Sequence, residues 1–179
     1  FYLGLAAVAG PFTDVLLGEK WTEAAPIIRL LALAMPMVTL QVLFAPATNA
    51  LGYTGRAMAA SVIGCLVMPA AYVVGLRYGV TGLALAWLLA FPLVTVATIT
   101  ISIPVLGLSW SDLGRAIRPG LVAALLMAGI VVGVDMAIPV ATALPRLAML
   151  VALGILAYGG LLRLLFPETI RELLALARR

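Results

Sequence analysis

Five polar side chains sit in or beside long apolar runs: Arg29, Gln41, Thr48, Asn49 and Arg56. Arg29, about one turn past Pro26, would offer an anion a permanent positive charge and a planar fork of donors. Gln41 and Thr48 are seven residues apart and share nearly one helix face. Asn49 stands about 80° further round at roughly 100° per residue. Amides in hydrocarbon need partners, so this face should turn inward, toward other helices or water. Arg56 follows in a glycine turn, where it could draw an anionic group toward that face. Asp135 is the only acidic residue inside an expected span and could relay a proton or cation.

Each has a plainer role, and the plainer role is favoured. Arg29 can snorkel to the interface or pair with Glu23. Gln41, Thr48 and Asn49 can simply tie helices together. Arg56 can anchor a turn on the positive-inside face. Asp135, about 24 Å along its helix, should stand near the outer boundary as a solvated residue.

Much chemistry is excluded. The chain has no histidine, which removes His-dependent triads, His-ligated metals and the usual acid–base group of neutral pH. Cys65 is the only cysteine, so neither an internal disulfide nor a cysteine-cluster metal site can form. No cofactor, metal or enzymatic step is expected. The net charge of +4 comes from dispersed arginines, which argues against nucleic acid and for membrane orientation.

The elements that must position these groups follow from composition. Of 179 residues, 65% are hydrophobic and 10% charged, with a mean hydropathy of +1.22. A soluble domain is nearer a quarter charged, and this one could not cover its surface with polar groups. The expected class is therefore an all-α integral membrane bundle. Five of the eighteen charged residues fall between Asp14 and Leu33, a short polar hairpin between apolar runs. Gly18 should stop one helix, Thr22 precede the next, and Pro26 sit in its first turn. Trp21 suits a membrane–water boundary.

Crossing a core of about 30 Å takes roughly 20 apolar residues. Phe1–Leu17 then reads as half a span, and the chain as the C-terminal piece of a longer polypeptide. Further spans are expected over 26–51, kinked at Pro36 and Pro46, then 57–76, 80–105 with Pro92 as the place for a bend, 119–138 and 146–166. Turns fall at Leu51–Arg56 and at Arg77–Gly82. Ser109 and Asp112 have capping-box spacing, and 109–118 reads as a short interfacial amphipathic helix. Gly129-x-x-x-Gly133 has the spacing of close helix approach. Residues from Pro167 on read as an amphipathic tail in the interface.

Counting the first, six crossings alternate between two faces. Arg56, Arg115, Arg118, Arg163, Arg171, Arg178 and Arg179 lie on one, and Lys20, Arg29, Arg77 and Arg146 on the other. The positive-inside rule puts the first set, with the C-terminus, in the cytoplasm.

The run LLGEKWTEAAPIIRLLAL, then LGYTGR, then RYGVTGLALAW resembles the C-terminal half of polysaccharide and O-antigen flippases, within the multidrug/oligosaccharidyl-lipid/polysaccharide exporter superfamily. The resemblance covers nearly the whole chain. It implies the last part of a transporter of about twelve to fourteen helices that moves a lipid-linked oligosaccharide across the bacterial inner membrane by alternating access. Residues 1–108 would then be core-bundle helices, and 109–179 the interfacial helix, an accessory pair of spans and the tail. It further implies that Arg29 and Arg56 meet a diphosphate head group, that Gln41, Thr48 and Asn49 bond sugar hydroxyls, and that polysaccharide polymerase machinery is a partner besides the bilayer. A cation-coupled multidrug exporter of the same superfamily would be expected to carry a buried carboxylate in the core bundle, and none is found there. A structural subunit would not need proline-kinked spans with polar inward faces.

Overall fold

The structure, a computed structural model, describes residues 1–138 and 142–167. All secondary structure among them is helical. In chain order the helices are α1 (Tyr2–Ala7), α2 (Ala9–Leu16), α3 (Ala25–Ala50), α4 (Thr54–Gly75), α5 (Gly79–Leu106), α6 (Trp110–Ala137) and α7 (Ala143–Leu165). A 3-10 segment of six residues precedes α3, and one of three residues joins α4 to α5. The amphipathic tail expected after Pro167, with Arg171, Arg178 and Arg179, lies outside the described residues.

Among the described residues four helical runs are long and apolar enough to cross a membrane: Lys20–Ala50, Thr54–Leu106, Trp110–Ala137 and Ala143–Leu165. The second is α4 and α5 together. Phe1–Leu17 is instead two helices of six and eight residues that part at Val8, with φ −100° and ψ 13°. Pro11 accounts for the break: it cannot donate to the Ala7 carbonyl four residues back, and its ring crowds that oxygen. Residues 110–118, expected as a separate interfacial helix, are the first turns of α6, which continues through Pro119. Losing one bond there does not stop a helix whose neighbouring bonds hold in apolar surroundings. The expected capping box is present: Ser109 N donates to Asp112 Oδ2 (3.0 Å) and Asp112 N to Ser109 Oγ (3.2 Å). Pro26 is the second residue of α3, as expected. Thr22 lies within the preceding 3-10 turn, and its hydroxyl donates to Asp14 Oδ1 at 3.4 Å.

Two compact units divide the chain. One holds Phe1, Leu3–Ala25 and the residues from Gly114 onward; the other holds Tyr2 and Pro26–Leu113.

In the second unit α3 runs unbroken through Pro36 and Pro46 and ends on a Schellman pair: Gly52 N donates to Asn49 O (2.9 Å) and Tyr53 N to Thr48 O (3.2 Å). Gly52 has φ +81°, which a Cβ would strain. Gly52→Ala is expected to destabilise the unit by about 1 kcal/mol, read as an earlier midpoint in detergent unfolding. The helices α4 and α5 form an antiparallel pair. Gly75 meets Gly82 next to the turn, and Gly64 meets Val94 further along. A Cβ on Gly75 would come within 2.7 Å of the Gly82 carbonyl oxygen, and one on Gly82 would strike the Gly75 carbonyl and the Tyr78 Cβ. Gly82, Ala86 and Ala90, four residues apart along α5, are all buried. Phe44 of α3 packs on Ile99 and Ile103 of α5, with Leu40, Leu106 and Leu113 around them.

In the first unit Val8, Met127, Val131 and Leu150 form the core, joining the α1–α2 junction to α6 and α7. Gly129 and Gly133 do not mediate close packing there: a Cβ on either would meet nothing within 4 Å. Large apolar side chains point outward in both units, among them Leu66, Leu89, Ile155 and Leu156 at 68 to 74% exposure. That is the surface lipid would cover.

Candidate functional site

The five residues singled out from the sequence all fall in the second unit, and they separate there. Arg29 is the fifth residue of the 26-residue α3 and Arg56 lies beyond its far end. The 21 residues that follow Arg29 to the end of α3 span about 30 Å at roughly 1.5 Å per residue. No single small group could touch both. Arg29 is exposed. Arg56 is exposed and stacks its guanidinium over the Tyr53 ring, 5.7 Å from the centroid. Asn49 is also exposed, as its offset from the Gln41–Thr48 face requires.

Gln41 and Thr48 do turn inward. Thr48 is fully buried and donates to the Phe44 carbonyl of its own helix at 2.9 Å. Gln41 is half-buried and meets α5: the Thr95 hydroxyl is shared between Gln41 Oε1 (3.4 Å) and Met37 O (3.3 Å). Both distances are long for an O–H donor, so the link is weak. Further along α5, Thr98 and Ser102 are buried too. Thr95, Thr98 and Ser102 thus make a hydroxyl stripe at i, i+3 and i+7, buried in the same unit as the amide and hydroxyl of α3. Sequence reasoning took 80–105 only as a span and missed this stripe. The spacing in TVATITIS was its signal, readable by the same wheel that paired Gln41 with Thr48.

Most hydroxyls in these helices are satisfied on their own backbone. Thr13, Thr39, Thr48, Ser61, Thr98 and Thr100 each donate to the carbonyl four residues back, at 2.7 to 3.1 Å. Hydrocarbon offers no other partner, so this pairing removes the cost of burying them. The Thr95 hydroxyl reaches across to another helix.

In the first unit Asp135 pairs with Arg146, Oδ1 to Nε at 2.6 Å, joining the end of α6 to the start of α7. The side chains are 18% and 35% exposed. Asp135 is therefore held by a neighbouring cation, not simply solvated. Among the described residues no three His, Cys, Asp or Glu side chains come together as metal ligands would.

Fold and site together define an all-helical chain with several helices long and apolar enough to cross a bilayer, as in a multi-pass membrane protein. No family model matches the chain, and neither does any curated protein or solved structure.

Proposed function

We propose that this chain is part of a transporter that moves a lipid-linked oligosaccharide across the bacterial inner membrane by alternating access, with its C-terminus in the cytoplasm and without catalytic chemistry of its own. One structural observation supports this reading: half-buried Gln41 and the buried hydroxyls of Thr48, Thr95, Thr98 and Ser102 on α3 and α5. Alternating access needs helices that change neighbours without leaving polar groups bare in hydrocarbon. Here the polar part of the α3–α5 contact is one shared hydroxyl, worth about 0.6 kcal/mol by comparison with other interhelical bonds in membranes. The buried hydroxyls of Thr48 and Thr98 keep their own backbone partners whatever α3 and α5 do. When the helices part, Gln41 and Thr95 become free to bond sugar hydroxyls. Arg29, at one end of α3, serves the diphosphate as a charge partner at that membrane face. Arg56 serves at the opposite face, so the two act at successive stages and not together.

Arg29→Ala in the full-length protein is expected to lower glycan export about ten-fold, the loss of one charge-assisted contact of roughly 1.4 kcal/mol. Export measured at matched expression checks it. Unchanged export removes Arg29 from the substrate path.

A further inference from the structure

The second unit contains one more built feature, an apolar groove of about 510 Å³. It lies among the first turns of α3, the last turns of α4 and the first turns of α5, where Ile27, Leu31, Leu76, Leu83, Ala84 and Trp87 line it. Its volume falls within the roughly 300–1,000 Å³ of ordinary ligand pockets. All these residues belong to the end of the unit that carries the α4–α5 turn. Arg77 sits in that turn, directly after Leu76, and is exposed. Arg29 does not share the groove: on α3 it stands about 200° from both Ile27 and Leu31.

Charge decides what fits. Pro26–Leu113 contains three arginines and a single acid, Asp112. Asp112 follows the far end of the 28-residue α5, about 40 Å along the helix from Arg77, and its carboxylate already closes the box with Ser109. Within its unit Arg77 therefore has no carboxylate to pair with. An apolar groove and an exposed cation at the same end of membrane-length helices complement one kind of molecule: an acyl chain joined to an anionic head group at the interface.

We propose that this groove binds an anionic glycerophospholipid, one acyl chain lying against Leu83 and Trp87 and the phosphate at Arg77. The site needs only that these helices lie in a bilayer, and stands whether or not the chain transports glycans. One basic side chain near an anionic lipid surface is worth about a five-fold preference.

Trp87 supplies the readout. The full chain carrying Trp21→Phe and Trp110→Phe, reconstituted in liposomes, leaves Trp87 as the sole indole. Phosphatidylglycerol brominated on its acyl chains should quench that indole with about five-fold tighter apparent association than brominated phosphatidylcholine. Arg77→Gln should bring the ratio to about one, and Arg77→Lys should keep most of it. Should the double substitution disturb folding, the native chain and Trp87→Phe are compared, and the head-group-selective component should vanish with Trp87. Equal quenching by both lipids, or a preference that survives Arg77→Gln, overturns the proposal. So does an indole that neither lipid reaches, which would mean that protein covers the groove.

Discussion

Replacing Gly82 with valine is expected to cost the α4–α5 pair more than any other glycine substitution in the described chain. The new Cβ would meet the Gly75 carbonyl oxygen and the Tyr78 Cβ, one of them backbone and neither able to swing aside like a side-chain tip. Overpacking of this kind costs about 1–3 kcal/mol where neighbours can shift, and valine should fall at or above the upper end. Gly82→Ala should cost about 2 kcal/mol. Gly129→Val is the control, because its Cβ would enter open space. It should change stability by no more than about 0.5 kcal/mol. Helix loss during titration with a denaturing detergent, followed by circular dichroism, would measure all three. If Gly129→Val proved the costlier change, the close helix approach would belong to α6 and not to the α4–α5 turn.

Asp135→Ala should have the second largest effect. It strips Arg146 of a partner held at 2.6 Å, while the guanidinium remains partly withdrawn from solvent. Asp14 is near enough to add a weaker attraction for the same cation, so the loss is not complete. Arg146 is about a third exposed, and water screens part of the interaction. The expected cost is about 1–2 kcal/mol, more than an open surface pair and less than a fully buried one. Asp135→Asn keeps an acceptor and should cost less. The exchange Asp135→Arg with Arg146→Asp should recover part of the stability. A double-mutant cycle on α6–α7 unfolding checks it, and a coupling energy indistinguishable from zero would mean that Arg146 simply reaches the head groups.

What could be read from the sequence is what neighbouring residues settle among themselves. Gly52 and Pro26 act within one or two turns, and so does the reciprocal pair Ser109 and Asp112. The inward face of Gln41 and Thr48, with Asn49 off it, follows from helix geometry alone. The close approach of two helices does not. Gly129-x-x-x-Gly133 and Gly82-x-x-x-Ala86 carry the same spacing, and nothing in either stretch says which will meet a partner. In the structure the choice goes to Gly82 because a three-residue turn forces α5 back along α4, so a bulky residue there would hold the pair apart. Pro11 and Pro119 teach a similar lesson. Both remove one backbone bond, but Pro11 interrupts a short helix with little to hold it together. Pro119 sits in a helix of 28 residues and is tolerated. The candidate site was legible only in part for the same reason. Gln41 was visible by type, but its partner Thr95 is 54 residues away.

The hydroxyls that bond back along their own helices bear on how such a chain is made. A helix that has already neutralised its side-chain polar groups can leave the ribosomal insertion machinery and enter lipid alone. Thr39, Thr48, Thr98 and Thr100 ask for no companion at that moment. Asp135 and Arg146 do, since either would enter as a bare ion. Biogenesis should therefore hold the last two helices until both have emerged.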